Sequence, residues 1–189
     1  FEGDDEIYGG EGDDTIEGGD GVDTIYGGEG NDNIEGGDGV DEIYGGEGDD
    51  NIQPGLGGDN ESDLQVIDAG AGNDYISGID NFKVIGGTGN DTVIGGAIYF
   101  DGGEGDDSIT LPNDNHKVDF LDGGEGTDTL NILISGNSTV RNFGSLSIQD
   151  AIANFEIINL TGGGHFTLSS NTGSEGENLT IRADLEGGN

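Results

Sequence analysis

The sequence predicts an all-β protein: a right-handed parallel β-roll, a type of β-solenoid, with a β-rich capping region at its C-terminal end. Three observations predict it. The pattern Gly-Gly-x-Gly-x-Asp-x-Ile-x runs without a gap from Gly9 to Gln53, after a clipped copy in residues 1–8. Its eighth position is always isoleucine: Ile7, Ile16, Ile25, Ile34, Ile43 and Ile52. Its ninth position alternates, as Tyr8, Glu17, Tyr26, Glu35, Tyr44 and Gln53, so the full repeat is 18 residues, two loops and two strands.

The unit dictates its own local structure. Glycines permit positive φ and close backbone approach, so the first six positions read as a tight turn. The last three read as extended, one apolar residue between two outward ones. A β-branched residue suits the strand interior. One inward residue per unit cannot bury itself alone, so units must stack as coils of a flattened roll with a parallel sheet on each face. Stacked coils lie about 4.8 Å apart.

Stacking places the sixth-position aspartates in columns. One edge carries Asp5, Asp23, Asp41 and Asp59; the other carries Asp14, Asp32 and Asp50. Like charges about 4.8 Å apart repel by roughly 3–4 kcal/mol per pair at an effective dielectric of 20. The chain has Lys+Arg 4 against Asp+Glu 41, and the four bases are Lys83, Lys117, Arg141 and Arg182, so nothing basic offsets the columns over residues 1–82. Carboxylates and loop carbonyls form an all-oxygen donor set, which favours a hard divalent cation, calcium before magnesium. With no cysteine and only His116 and His165, zinc and copper are disfavoured.

These residues resemble the RTX (repeats-in-toxin) family, whose signature is this glycine- and aspartate-rich nonapeptide. The resemblance is strongest over residues 1–53 and continues more weakly to about residue 131. It implies several Ca2+ ions held between successive loops on each edge. The ligands it implies are the sixth-position Asp carboxylates together with main-chain oxygens of the glycine turns. In the regular block those turns are Gly10 and Gly12, Gly19 and Gly21, Gly28 and Gly30, Gly37 and Gly39, and Gly46 and Gly48. Farther on they are Gly70 and Gly72, Gly87 and Gly89, Gly103 and Gly105, and Gly124 and Gly126. The resemblance further implies type I secretion and folding outside the cell, in calcium-rich surroundings.

Three regions follow. Residues 1–53 are the regular nonapeptide roll. Residues 54–131 are an irregular roll with calcium loops mainly on one edge. The loop Pro54 to Asp59 is degraded, about six extra residues follow, and Gly-Asp loops then recur once per coil, ending at Asp74, Asp91, Asp107 and Asp128. These four extend the column of Asp14, Asp32 and Asp50, while the opposite column ends at Asp59. Apolar runs stand opposite, Phe82 to Ile85, Ile98 to Phe100 and Val118 to Leu121. They are expected to thicken the roll and reduce its dependence on metal. Residues 132–189 read as a cap or continuation, with strands near Leu130–Ile134, Phe155–Leu160, Phe166–Leu168 and Leu179–Ile181. Ile148, Ile152 and Phe155 share one face of a possible two-turn helix. Both ends fall mid-repeat, as expected of a segment of a longer protein.

Composition narrows the function. A net charge of -37 with 30% hydrophobic residues would ordinarily mean disorder; the strict repeat argues instead for order conditional on a ligand. The charge disfavours nucleic acid, whose phosphates need Lys and Arg, and disfavours anionic lipid. No apolar run is long enough to span a membrane. Zero cysteines remove any disulfide framework.

Other side chains invite a functional reading. Tyr8, Tyr26 and Tyr44 form an outward column, read first as ladder packing and second as a glycan or partner surface. Glu17 and Glu35 read as a solvated face. Asp68, Asp101 and Asp122 precede glycine loops and are candidate extra ligands. His165 reads as a loop residue. Thr15, Asn33 and Asn51 make only a short ladder, too short for ice binding. No nucleophile–base pair or metal triad is present, so the chain reads as non-catalytic. The leading function is a calcium-binding, secreted or cell-surface bacterial module, a structural spacer or scaffold such as an adhesin contains. The alternative is the non-catalytic part of an exported protease, lipase or polysaccharide-modifying enzyme, or a ligand-binding adhesin face.

Overall fold

In a computed structural model of the chain, each nonapeptide of the N-terminal block forms one strand and one three-residue turn. The structure describes residues 2–57, 64–78, 82–111, 119–135, 139–142, 152–155, 157–169 and 178–183. The first strands are β1 (Glu6–Glu11), β2 (Thr15–Asp20), β3 (Thr24–Glu29), β4 (Asn33–Asp38), β5 (Glu42–Glu47) and β6 (Asn51–Gln53). All but β6 are six residues long, twice the expected length. The reason lies in the first-position glycine. Gly18, Gly27 and Gly36 are buried, so the strand has two inward positions, the isoleucine and this glycine, and the chain stays extended through both. A Cβ on Gly27 would collide with the Asp32 carboxylate and with the Gly45 carbonyl oxygen of the next coil.

The irregular region continues with β7 (Gln65–Ala71), β8 (Tyr75–Ser77), β9 (Phe82–Thr88), β10 (Thr92–Ile94), β11 (Ala97–Glu104), β12 (Ser108–Leu111), β13 (Phe120–Asp122) and β14 (Thr129–Ser135). Then come β15 (Thr139–Asn142), β16 (Ile152–Ala153), β17 (Ile157–Ser169) and β18 (Asn178–Ala183). Alternate strands fall on opposite faces. One sheet has the order β1-β3-β5-β7-β9-β11-β13-β16, the other β15-β17-β14-β12-β10-β8-β6-β4-β2. Both are parallel, with like positions in register: Ile7 opposes Ile25, Ile25 opposes Ile43, and Ile16 opposes Ile34. The architecture is therefore the expected β-solenoid.

The core is the seam between the sheets. Ile25, Ile34, Ile43, Ile52, Ile67 and Ile76 are buried along it, continued by Phe82, Val84, Val93, Phe100, Ile109, Leu121 and Leu130. Not every aromatic residue of the irregular half joins this core. Tyr99 and Phe120 face outward and stack on each other with centroids 4.9 Å apart, and the Lys83 ammonium lies 4.9 Å over the Tyr99 ring.

The C-terminal region corrects two expectations. Ile152–Ala153 is a strand paired with β13, through Leu121 and Asp122, so this part of the anticipated helix is sheet; residues 143–151 lie outside the described residues. Phe155 packs against the core, stacked on Phe100 at 6.4 Å. His165 lies in β17, opposite Arg182 of β18, and not in a loop. That β17–β18 pairing is antiparallel, which breaks the run of parallel coils.

Candidate metal centre

The turns that join the sheets bring the sixth-position aspartates into two columns. On the first edge the backbone N–H of each donates to the Oδ1 of the equivalent aspartate one coil later. Asp14 donates to Asp32 at 2.8 Å, Asp32 to Asp50 at 2.8 Å and Asp50 to Asp74 at 2.7 Å. Asp74 donates to Asp91, Asp91 to Asp107 and Asp107 to Asp128, each at 2.8 Å. The column thus runs unbroken from Asp14 to Asp128, across the insertion that follows Pro54. On the second edge Asp5 donates to Asp23 at 2.8 Å and Asp23 to Asp41 at 3.0 Å.

The second edge then changes character. Asp59, the expected end of that column, lies outside the described residues. Val66 N–H donates to Asp41 O at 3.0 Å as Glu42 N–H does to Asp23 O at 2.9 Å, so Gln65 occupies the aspartate position of the next coil. Gln65 in turn opposes Phe82, and Phe82 opposes Ala97. A carboxylate column has become an amide and then a hydrocarbon column.

From Asp23 on one edge and Asp32 on the other, each carboxylate is half satisfied, its Oδ1 accepting the N–H of the preceding coil. Oδ2 of Asp5, Asp14, Asp23, Asp32, Asp41, Asp50, Asp74, Asp91 and Asp107 is buried and accepts no hydrogen bond. Asp23, Asp32, Asp41, Asp50, Asp74, Asp91 and Asp107 are at most 2% exposed. A buried anionic oxygen without a donor is costly unless a cation meets it. Burial accordingly raises the carboxyl of Asp41, carries those of Asp50, Asp74 and Asp107 up to about 6 and that of Asp91 to about 7, with neighbouring carboxylates adding to the rise.

The turns supply further oxygens. Every second- and fourth-position glycine named above has positive φ, from +99° at Gly124 to +149° at Gly126. At Gly28, with φ +123°, an added Cβ would strike the Gly10 carbonyl oxygen, and at Gly30 one would lie 2.6 Å from Gly12 O. Loop carbonyls of one coil thus face the bare backbone of the next, beside the carboxylate column. Among the described residues no three Asp, Glu, His or Cys side chains converge on one point. The donor set that fits a cation is therefore mixed, carboxylate plus main-chain oxygen, which is the chemistry of calcium.

A second column escaped the sequence reading. Fifth-position side chains on the first edge accept from the following coil, the reverse of the inner column's direction. Asn31 N–H donates to Asp13 Oδ1 at 2.9 Å, Asp49 N–H to Asn31 Oδ1 at 2.8 Å and Asn73 N–H to Asp49 Oδ1 at 2.6 Å. The series continues through Asn90 and Asp106 to Thr127. Asp49 is exposed, and the two N–H groups of Asn73 that it accepts hold its carboxyl below the usual range. The signal was present, since Asp13, Asn31 and Asp49 alternate with Val22 and Val40, which have no side-chain acceptor.

The other candidates lie elsewhere. Asp68, Asp101 and Asp122 fall on the outer face of the first sheet, where Asp68 opposes Tyr44 and Asp101 opposes Asp122. Asp122 Oδ1 accepts from Asn154 Nδ2 at 2.6 Å and Gly124 N–H at 3.2 Å, and burial raises the Asp101 carboxyl. None joins the columns. Tyr8, Tyr26 and Tyr44 stack with centroids 4.8 and 4.9 Å apart, the ladder packing expected.

The profile described as RTX calcium-binding nonapeptide repeat (4 copies) matches residues 1–34, 26–60, 66–78, 83–97 and 118–131, together more than half of the chain. No curated protein and no solved structure matches it.

Proposed function

Because the chain belongs to the RTX calcium-binding nonapeptide repeat family, we propose that its two aspartate columns are its calcium sites and that calcium closes the roll. The observation that carries this reading is the line of buried Oδ2 atoms without donors. The sixth-position aspartates and the carbonyls of the glycine turns are the ligands. No site pre-exists in the unfolded chain, so binding free energy becomes folding free energy. The regular roll of residues 1–53 holds about two ions per coil, residues 54–131 about one, and residues 132–189 cap the solenoid with few or none. Phe82, fully buried in the column that Asp41 and Gln65 precede, replaces with hydrocarbon what the second edge lacks in metal; burying it contributes roughly 1.5–3 kcal/mol.

The module is a calcium-conditional spacer of a secreted or surface-exposed bacterial protein, exported unfolded by a type I route. The support is the family, the charge of -37 and the absence of cysteine. The chain contributes binding and structure rather than catalysis. Hydrogen exchange at falling calcium tests the division of labour. Amides of β2 to β5 should open before those of β9 to β14. The reverse order would contradict it.

A further inference from the structure

Gln65 stands where the second aspartate column stops, and its side chain repeats the predicament of the aspartates before it. It is 0% exposed. Its Nε2 donates to Gly39 O at 3.1 Å, a carbonyl of the turn that carries Asp41. A Cβ on Gly57 would sit 3.2 Å from that same nitrogen, so the amide lies against the backbone of the next turn on this edge. Its Oε1 is buried and accepts no hydrogen bond.

The Gly39 carbonyl settles which end of the amide is which, because turning it over would set oxygen against oxygen. Oε1 is then committed to the acceptor's position. It is a neutral counterpart of the orphaned Oδ2 of Asp5, Asp23 and Asp41 on the same edge. A buried acceptor left unmet is costly. A carboxamide oxygen is an ordinary ligand for calcium, and a side chain whose other end is pinned by a hydrogen bond holds such a ligand in place.

We propose that Gln65 Oε1 ligates a further hard divalent cation, calcium, in a terminal layer between the turn of Asp41 and the coil that begins at Gln65. The proposal rests on the aspartate columns being calcium sites. This layer has one formal charge fewer than the layers built from two aspartates. It is therefore the weakest on its edge and the last to fill. Beyond it Phe82 and Ala97 offer no side-chain oxygen, so the metal column ends here.

Native mass spectrometry of the whole chain at saturating calcium counts the ions, and a calcium titration gives the midpoint of each layer. Gln65→Leu should bind one ion fewer than the unaltered chain. Gln65→Glu should bind the same number, with its last layer filling at lower calcium. A Gln65→Leu chain with the full count would overturn the proposal. So would a Gln65→Glu chain that binds one ion more, since that would mean the glutamine layer held none. Should Gln65→Leu not fold, the Gln65→Glu count still decides. A chain that binds no calcium in any form would instead overturn the reading beneath.

Discussion

Oδ1 of Asp50 accepts the backbone N–H of Asp32, one coil earlier, at 2.8 Å, while Oδ2 of the same carboxylate is buried and accepts nothing. The first oxygen sets the register between coils. The second, lacking a donor, is the proposed cation ligand. This split recurs from Asp32 to Asp107 and is the proposed way in which a chain with so many acids and so few bases folds as stacked coils.

The two roles can be separated by mutation. Asp32→Asn keeps an acceptor for the Asp14 N–H but removes the charge. It should raise the calcium midpoint by roughly ten- to a hundredfold and leave the β content at saturation unchanged, since hydrogen bonds and contacts to a charged group contribute roughly 1.5–3 kcal/mol. Asp32→Ala should cost more, because it also leaves the half-buried Asp14 N–H unmet. Asp5→Ala, at the N-terminal end of its column, should cost less than either. Equal midpoints for Asp32→Ala and Asp5→Ala in a calcium titration would contradict the stacked-column account.

The calcium-free chain should depend on pH in a definite direction. Burial raises the carboxyls of Asp50, Asp74 and Asp107 to about 6 and that of Asp91 to about 7. Unfolded aspartates titrate near 3.9. The folded chain therefore holds more protons than the unfolded one between about pH 4 and 7, and its stability falls as pH rises through that window. In chelator, the β signal should be stronger at about pH 4.5 than at about pH 7.5. With calcium the order reverses. Protons compete with the ion, so the calcium midpoint should rise as pH drops below about 7, and binding should release protons.

The outer column gives a contrasting result. Asn31 accepts from Asp49 N–H at 2.8 Å on an exposed part of the turn. Asn31→Ala should lower stability by about 0.5–1.5 kcal/mol. Because the residue lies outside the buried column, the ion count should not change. Denaturant unfolding at saturating calcium, paired with an ion count, measures both. Loss of an ion would move Asn31 into the metal site.

Much of this was legible in the sequence because the period leaves little freedom. Eighteen residues per coil fix which aspartates stack, and the Gly-Asp loops kept the first column readable through the insertion after Pro54. What escaped has physical reasons. First-position glycines such as Gly27 look like turn residues, yet the Asp32 carboxylate and the Gly45 carbonyl leave room only for glycine inside the strand. Ile152 and Phe155 fit a helical spacing, but pairing with β13 decides a segment that short. Gln65 carries no glycine-aspartate signature before it, so only the register of Val66 against Glu42 reveals its position. The opposed directions of the inner and outer columns are a property of the turn's backbone that residue types do not encode.

The central claim is that a cation holds the buried carboxylate columns closed, and far-ultraviolet circular dichroism of the whole chain at neutral pH tests it most directly. In excess chelator the spectrum should be mostly coil, at least to the extent of residues 1–53. Millimolar calcium should restore a β spectrum cooperatively, and magnesium at the same concentration should do so far less. A fully β spectrum in excess chelator, unchanged by calcium, would contradict the account.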